Sequence, residues 1–140
     1  MELTEVEKAY IAGIIDGEGS IYIIQRTNQA SFECNLSVSN TSLPLIVWLS
    51  EKLDKHYWIG RTARGNQAQA YNITLKSRDA IVVLNMLLPY LIVKKDLALL
   101  MVAFPLSVQG ERTSDEQYLK QAIIYRQAKD LQTRGKSHVN

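Results

Sequence analysis

The sequence predicts an α+β domain in which helices pack on one face of an antiparallel four-stranded sheet. Three observations predict it. The segment Thr4 to Glu7 has the form of a capping box, which marks the start of a helix. Residues 33–39 and 70–75 alternate polar and apolar side chains, as half-buried strands do. The strand patterns predict two hairpins, with a helical segment before the first, between the two and after the second.

The elements are predicted in the order helix, hairpin, helix, hairpin and three further helices. The glycines of residues 16–19 are expected to end the first helix, because glycine adopts the backbone geometry that stops one. Residues 1–133 are predicted to form one domain, followed by a frayed polar tail at 134–140. The predicted bounds are helix 5–16, strands 20–28 and 33–39, helix 43–53, strands 57–63 and 69–76, and helices 78–88, 94–104 and 114–133.

The composition is typical of a chain that buries a core, with 46% hydrophobic and 21% charged residues. No apolar run approaches the roughly 18 residues of a membrane helix. The acidic N-terminus differs from a signal peptide. Cys34 is the single cysteine of the sequence, which excludes an intramolecular disulfide and a cysteine zinc site. We therefore expect a reduced, soluble, intracellular protein.

The formal net charge of +2 is a weak indication of nucleic-acid binding, but the charge is unevenly distributed along the chain. Residues 1–54 carry three basic and eight acidic groups, whereas residues 55–110 carry seven basic and two acidic groups. Such a chain could place a basic surface beside an acidic site. Charges scattered over solvated faces remain the alternative.

Several common motifs are absent from the sequence. It contains no phosphate-binding loop and no third glycine that would complete a dinucleotide fingerprint at 17–19. A calcium loop starting at Asp16 would need its closing glutamate at Thr27. Two histidines are too few for a histidine-rich metal site.

The segment 11–19 remains the strongest candidate for function. Ala12, Gly13 and Gly17 are small residues that allow a second backbone to approach a helix closely. Glu18 follows as a carboxylate at the helix end, where a strand begins. An apolar helix that ends in a polar glycine turn is the alternative for this segment.

The segment resembles the signature of the LAGLIDADG homing endonucleases. Tyr10 before it and Ser20 after it also resemble family members, and the order of elements is similar over nearly the whole chain. Five of its nine positions are identical to the family name: Ala12, Gly13, Ile15, Asp16 and Gly19. The resemblance implies an αββαββα core with additional C-terminal helices. It also implies an intron-encoded endonuclease that cleaves both strands of a long pseudo-palindromic DNA target with staggered ends.

The resemblance also implies a divalent metal site. Glu18 would be the metal ligand, assisted by the carbonyl of Gly17, and the hard oxygen ligands suit Mg²⁺, with Ca²⁺ or Mn²⁺ as substitutes in binding. Glu18 stands where the family usually has aspartate. Lys94 would lie near the metal-bound waters and Asn40 would order solvent. A solvent-facing lysine and a helix-capping asparagine are the respective alternatives, and Lys95 is the second candidate for the basic residue.

A single motif implies a homodimer, since one chain supplies one motif carboxylate and the partner would supply the second. In the family the motif helices pack together on small residues. The residues expected at this interface are Ala12, Gly13 and Asp16.

The polar face of the sheet is expected to contact double-stranded DNA, because Arg, Asn and Gln suit the edges of guanine and adenine and Glu33 could accept from cytosine. Residues 20–28 would span roughly 30 Å, or about nine base pairs, so a dimer would cover roughly 18. The expected contact residues are Ser20, Tyr22, Ile24, Arg26, Asn28, Glu33, Asn35, Ser37, Ser39, Arg61, Arg64, Gln67, Gln69, Asn72, Thr74 and Lys76.

Two rival functions stay open at this point. A family relative could bind nucleic acid without cleaving it, as an intron-splicing maturase or a regulator. The chain could also be a dimerisation module that binds no DNA. An endonuclease of this kind is expected in the cytoplasm or nucleoid of a prokaryote, or in an organelle, and not at a membrane.

Overall fold

The computed structural model describes residues 1–26, 31–106 and 113–137, and the predicted fold class is confirmed. Helices and one antiparallel sheet alternate in the predicted order. A short 3₁₀ turn, Leu88–Tyr90, follows the third helix. The elements are α1 (Glu5–Glu18), β1 (Gly19–Arg26), β2 (Ser31–Asn40), α2 (Leu43–Leu53), β3 (Trp58–Arg61), β4 (Ala70–Lys76), α3 (Arg78–Leu87), α4 (Lys95–Val102) and α5 (Asp115–Ser137).

The strands lie in the order β1-β2-β4-β3, so β2 and β4 are central and β1 and β3 are the two edges. Gly19 pairs with Val38, and Ser37 pairs with Thr74 across the next ladder. The edge strand β3 is short and exposed, and its pairing with β4 is irregular between Ile59 and Arg61. The irregularity and brevity of β3 are features that discourage pairing with another sheet.

The core lies between the helices and one face of the sheet. The predicted core-facing residues Cys34, Leu36 and Val38 are all buried, and they alternate with polar residues on the opposite face. Among the helices, α2 contributes Ile46 and Leu49, which are fully buried. This arrangement follows from the period of two along the strands and leaves the polar face of the sheet uncovered by the helices.

The first helix begins as predicted and ends later than predicted. The side chain of Thr4 accepts from the backbone of Glu7, and the side chain of Glu7 accepts from the backbone of Thr4. The helix then runs through Gly17 to Glu18, and Gly19 has an extended backbone with φ −88°. Gly19 is required for a different reason: a Cβ there would lie 2.9 Å from the Cα of Ile15.

Other boundaries show smaller differences. The last helix continues to Ser137, so the predicted tail from residue 134 begins inside a helix. Lys94 is the N-cap of α4 and precedes its first residue. The α2 bounds agree with the prediction, and its start is set by Ser42, whose side chain accepts from the backbone of Leu45. In the described residues, no helix is long and apolar enough to cross a membrane.

Candidate active site and nucleic-acid interface

The outward side of α1 ends at Glu18. Val6 and Tyr10 are 79% and 55% exposed on this side. Gly13 and Gly17 follow at helical spacing, so the four residues, four, three and four positions apart, form one stripe along the helix, which we call the glycine stripe. A Cβ at either glycine would meet nothing within 4 Å. The stripe is therefore an open surface on which a second backbone could lie, and Glu18 is exposed at its end.

The structure corrects the predicted role of Ala12. Its side chain is fully buried in the chain's own core, together with Ile11 and Ile15, so it does not lie on the outward stripe. Gly13 is exposed as an interface residue requires. Ala12 was assigned to the interface because it is small, but at that position the small side chain belongs to the buried core.

Asp16 joins the end of α1 to the segment before α4. Its carboxylate accepts from the backbone N–H of Ile92 at 2.8 Å and of Lys94 at 3.0 Å. Burial raises the pKa of Asp16, but these backbone donors and the charge of Lys94 outweigh it, so the pKa lies below the ordinary 3.8. The carboxylate predicted at a dimer interface is thus engaged within its own chain.

The side chain of Lys94, from the segment before α4, also bonds to the backbone at the end of α1. Its ammonium donates to the carbonyls of Ile15 at 2.9 Å and of Asp16 at 2.8 Å. A lysine directed into solvent is thereby excluded, because the side chain is partly buried against the end of α1. A positive charge in this position compensates the negative end of the helix dipole, two residues before Glu18.

Asn40 lies at the same end of the sheet. Gly19 pairs with Val38, so Asn40 ends β2 beside the junction of α1 and β1. The side-chain oxygen of Asn40 accepts from the backbone of Ser42 at 2.8 Å, immediately before α2. Ser42 is the N-cap of α2, so Asn40 holds the capping residue and does not cap the helix itself, and its predicted role of ordering solvent near Glu18 stays a prediction.

The polar face of the sheet carries most of the predicted DNA-contact residues, and Arg61, Arg64 and Gln67 extend it toward the second hairpin tip. Ser37 and Thr74 are hydrogen-bonded across two strands at 3.2 Å. Asn28 lies outside the described residues. The predicted contact residues that are at least partly exposed on this face are Ser20, Tyr22, Ile24, Arg26, Glu33, Ser37, Ser39, Asn72, Thr74 and Lys76.

Two predicted contact residues are placed differently. Asn35 belongs to the polar face by alternation but is only 2% exposed, because neighbouring strands cover it on both sides. Gln69 donates its amide to the hydroxyl of Tyr71 at 3.1 Å, on the side of the sheet that packs toward the core. Asn35 is therefore covered in this conformation, whereas the Gln69 side chain is partly exposed with its amide nitrogen bonded to Tyr71.

The candidate metal ligands of one chain do not make a complete site. Among the described residues, no group of three or more His, Cys, Asp or Glu side chains is arranged to hold a metal ion. Burial raises the pKa of the Cys34 thiol to about 12, so this thiol stays protonated and takes no part in metal binding or nucleophilic chemistry. The hard oxygens at the end of α1 remain as candidate ligands.

Sequence reasoning missed two exposed apolar residues at this site. Ile92 and Val93 are 84% and 75% exposed, and Asp16 holds their segment against the end of α1. The signal in the sequence was an Ile-Val pair directly before two lysines, which reads equally well as a buried helix start. Only the contact of this segment with α1 in the folded chain shows that the pair is exposed and not buried.

Comparison with known proteins gives a result at the level of structure. No protein-family model matches the sequence, and no curated protein matches it. The homing endonuclease I-CvuI, solved with its target and 2 mM Ca, is similar with a TM-score of 0.65 and 18% identity, over 90% of this chain and 82% of that one. The archaeal intron-encoded homing endonuclease I-Vdi141I, complexed with DNA, gives 0.67 and 17%, over 90% and 84%.

A longer relative is similar over half of its length. The LAGLIDADG homing endonuclease I-LtrWI, bound to target DNA, has a TM-score of 0.62 and 17% identity, over 91% of this chain and 45% of that chain. All of these identities are low, so the likeness concerns the backbone. The chain therefore has the LAGLIDADG homing endonuclease fold, as the segment 11–19 at the junction of α1 and β1 predicted.

Proposed function

We propose that this chain is one subunit of a homodimeric, divalent-metal-dependent endonuclease that cuts both strands of a long, specific DNA site. One observation carries the proposal: an exposed carboxylate, Glu18, lies where a helix with an open glycine stripe passes directly into the first strand of a polar sheet face. The helix side suits pairing with a second copy. The sheet face suits DNA, and the carboxylate lies between the two.

Pairing through the glycine stripe is supported by its open surroundings. Two α1 helices related by a two-fold axis would meet along Gly13 and Gly17, where missing side chains allow close backbone approach. The exposed Val6 and Tyr10 would extend the contact along the helix, and Ile92 and Val93 would widen it. Such a contact would bring the two Glu18 carboxylates to the same end of the helix pair.

The residues at the end of α1 fit a hard divalent cation. Glu18 offers a carboxylate and Gly17 a carbonyl, and Mg²⁺ combines a few such oxygens with water and phosphate. The metal would supply Lewis acidity and lower the pKa of a bound water. Neighbours of this fold were crystallised with Ca and with Mg, which supports a divalent metal without selecting one.

Lys94 would act on the electrostatics of the site. A phosphodiester approaching the end of α1 meets both a carboxylate and the negative end of a helix dipole. The Lys94 ammonium, bound to the carbonyls of Ile15 and Asp16, offsets this repulsion and fixes the last turn that carries Glu18. Asn40 would hold solvent beside the same turn, and the polar sheet face would position the duplex.

The test begins with finding the target. A duplex library with a randomised stretch of about 24 base pairs, longer than the expected footprint of roughly 18, is selected for binding in Ca²⁺ and sequenced. A supercoiled plasmid carrying the selected site should be linearised in Mg²⁺. Glu18→Gln should bind the same site and fail to cut it, with a rate lower by at least about a hundred-fold.

Two outcomes would contradict the proposal. If Glu18→Gln cuts at the normal rate, the assignment of the site is wrong. If the wild-type protein binds a nucleic acid but cuts no DNA and promotes splicing of an intron RNA, the chain is a binding relative of the maturase type.

A further inference from the structure

Four side chains on the polar sheet face form one connected group, which we call the sheet charge cluster: Arg26 on β1, Glu33 and Asn35 on β2, and Lys76 on β4. Arg26 Nη2 is ion-paired with Glu33 Oε2, and Lys76 Nζ lies 3.8 Å from Glu33 Oε1. With its amide nitrogen turned toward the carboxylate, Asn35 donates to Glu33 Oε1 at 3.1 Å and to the carbonyl of Cys34 at 2.9 Å.

Exposure differs sharply within the cluster. The Glu33 side chain is 11% exposed, whereas those of Arg26 and Lys76 are 48% and 63% exposed. The carboxylate therefore lies beneath two cations that still reach solvent. Arg26 on β1 and Lys76 on β4 approach this one carboxylate from the two strands that flank β2.

This arrangement argues against Glu33 as a direct reader of cytosine. A carboxylate that accepts from a cytosine amino group needs a lone pair that faces the groove. Both oxygens of Glu33 are already engaged, and the surrounding side chains cover them. A base contact would first have to displace the Arg26 guanidinium or the Asn35 amide from this carboxylate and leave that group without its partner.

The same arrangement fixes a guanidinium. Arginine presents five N–H donors in a rigid plane, so one donor held by a carboxylate sets the direction of the others. Glu33 occupies Nη2 of Arg26, and about half of the Arg26 side chain remains exposed. A guanidinium held in one orientation offers its remaining edge to the O6 and N7 acceptors of guanine.

We propose that Glu33 is a positioning residue that fixes Arg26 to recognise a guanine at one position of each half-site. Asn35 holds the carboxylate in turn, and Lys76 supplies charge to the phosphates. This inference rests on the proposed DNA binding and specifies which side chain selects a base. The dimer would then show the guanine preference twice, on opposite strands of a pseudo-palindromic site.

The experiment compares base preferences of variants in the randomised duplex library in Ca²⁺. Arg26→Lys keeps the positive charge but removes the planar guanidinium with its paired N–H donors. The preference for guanine at one position should therefore fall about ten-fold, the contribution of one bidentate pair. Glu33→Gln should lose the same preference at the same position. The double variant should lose no more than either single variant, because one contact is removed in all three.

A matched control separates positioning from net charge. Glu116→Gln removes the same negative charge from an exposed residue of α5, which pairs with Lys120 at 3.4 Å away from the sheet face. It should leave every base preference unchanged. Loss of the guanine preference in this variant would overturn the positioning role, since net charge would then account for the effect.

Other results would overturn the inference directly. If Glu33→Gln changes the preference at a position that Arg26→Lys retains, Glu33 reads a base itself. If Glu33→Gln weakens binding to all sequences equally, the cluster is structural. If Arg26→Lys leaves every base preference at its wild-type value, Arg26 selects no base.

A measurement without DNA keeps this inference separable from the proposed function. Rotation of the Arg26 guanidinium, followed by NMR of its N–H groups in the free protein, should be hindered and should become fast in Glu33→Gln. Fast rotation in the wild type would overturn the positioning role even if the protein binds DNA. Hindered rotation in a protein that binds no DNA would show that Glu33 fixes the Arg26 guanidinium, but it would overturn both the base contact and the proposed function.

Discussion

The two sides of α1 differ in what they contact. The inward side places Ile11, Ala12 and Ile15 in the core, with exposures of 0%, 0% and 1%, and Asp16 continues it as a bridge to the segment before α4. The outward side carries Gly13 and Gly17, which face open space. One short segment therefore serves folding on one side and remains available for assembly on the other, so substitutions should separate stability from pairing.

The largest effect on folding is expected on the inward side. Ile11→Ala should lower the free energy of unfolding by about 2–5 kcal/mol, because a fully buried side chain leaves a cavity among packed neighbours. Urea unfolding measures the change. Leu119→Ala, at a residue 62% exposed on α5, is the control and should change it by less than about 0.5 kcal/mol. Equal effects would contradict the division between buried and exposed positions.

Lys94→Met should have the next largest effect. It removes two charge-assisted hydrogen bonds to the carbonyls of Ile15 and Asp16 and should cost about 1–3 kcal/mol in unfolding experiments. Lys95→Met changes the exposed neighbouring lysine and should be nearly neutral. An equal loss in the two variants would show that net charge, and not the contact with α1, stabilises this end of the helix.

Asp16→Asn tests the opposite half of the same connection and should cost about 0.5–2 kcal/mol at neutral pH, as for a lost helix cap. The folded-state pKa of Asp16 lies below its ordinary 3.8, so its ionised form stabilises the fold above that value. The difference between wild type and variant should shrink as the pH falls below 3.8 through the folded-state pKa. A difference that stays constant down to the lowest pH would contradict this assignment.

Gly13→Ala should have the smallest effect on folding and the opposite sign. A Cβ at this position meets nothing within 4 Å, and alanine favours a helix over glycine by about 0.5–1 kcal/mol. The isolated chain should thus become more stable while the proposed pairing weakens. Unfolding at low protein concentration and sedimentation at high concentration measure the two quantities. A stronger dimer would contradict the proposed use of the stripe.

The general fold could be predicted because its signals are local. The alternation along β2 identified the core-facing Cys34, Leu36 and Val38, and capping residues located the starts of α1 and α2. The end of α1 was predicted incorrectly. Two glycines resembled a helix stop, whereas Gly19 is required by close packing against Ile15.

The details of the site depend on contacts that sequence patterns do not contain. Asp16 and Ile92 are 76 residues apart, so their hydrogen bond follows from how α1 lies against the segment before α4. Ala12 and Gly13 are adjacent small residues, and only the rotation of the helix decides which one is buried. Asn35 alternates like a surface residue but is covered by its neighbours on both sides.

The direct passage from helix to strand has a consequence for target geometry. Glu18 is the last residue of α1 and Gly19 the first of β1, with no residue between them to absorb movement. In the proposed dimer, the separation between the two-fold axis and each reading strand would then be constant. Inserting one base pair at the centre of a target moves its halves apart by about 3.4 Å and rotates them by about 35°. We therefore expect the protein not to cleave targets in which the distance between the two half-sites is changed by even one base pair.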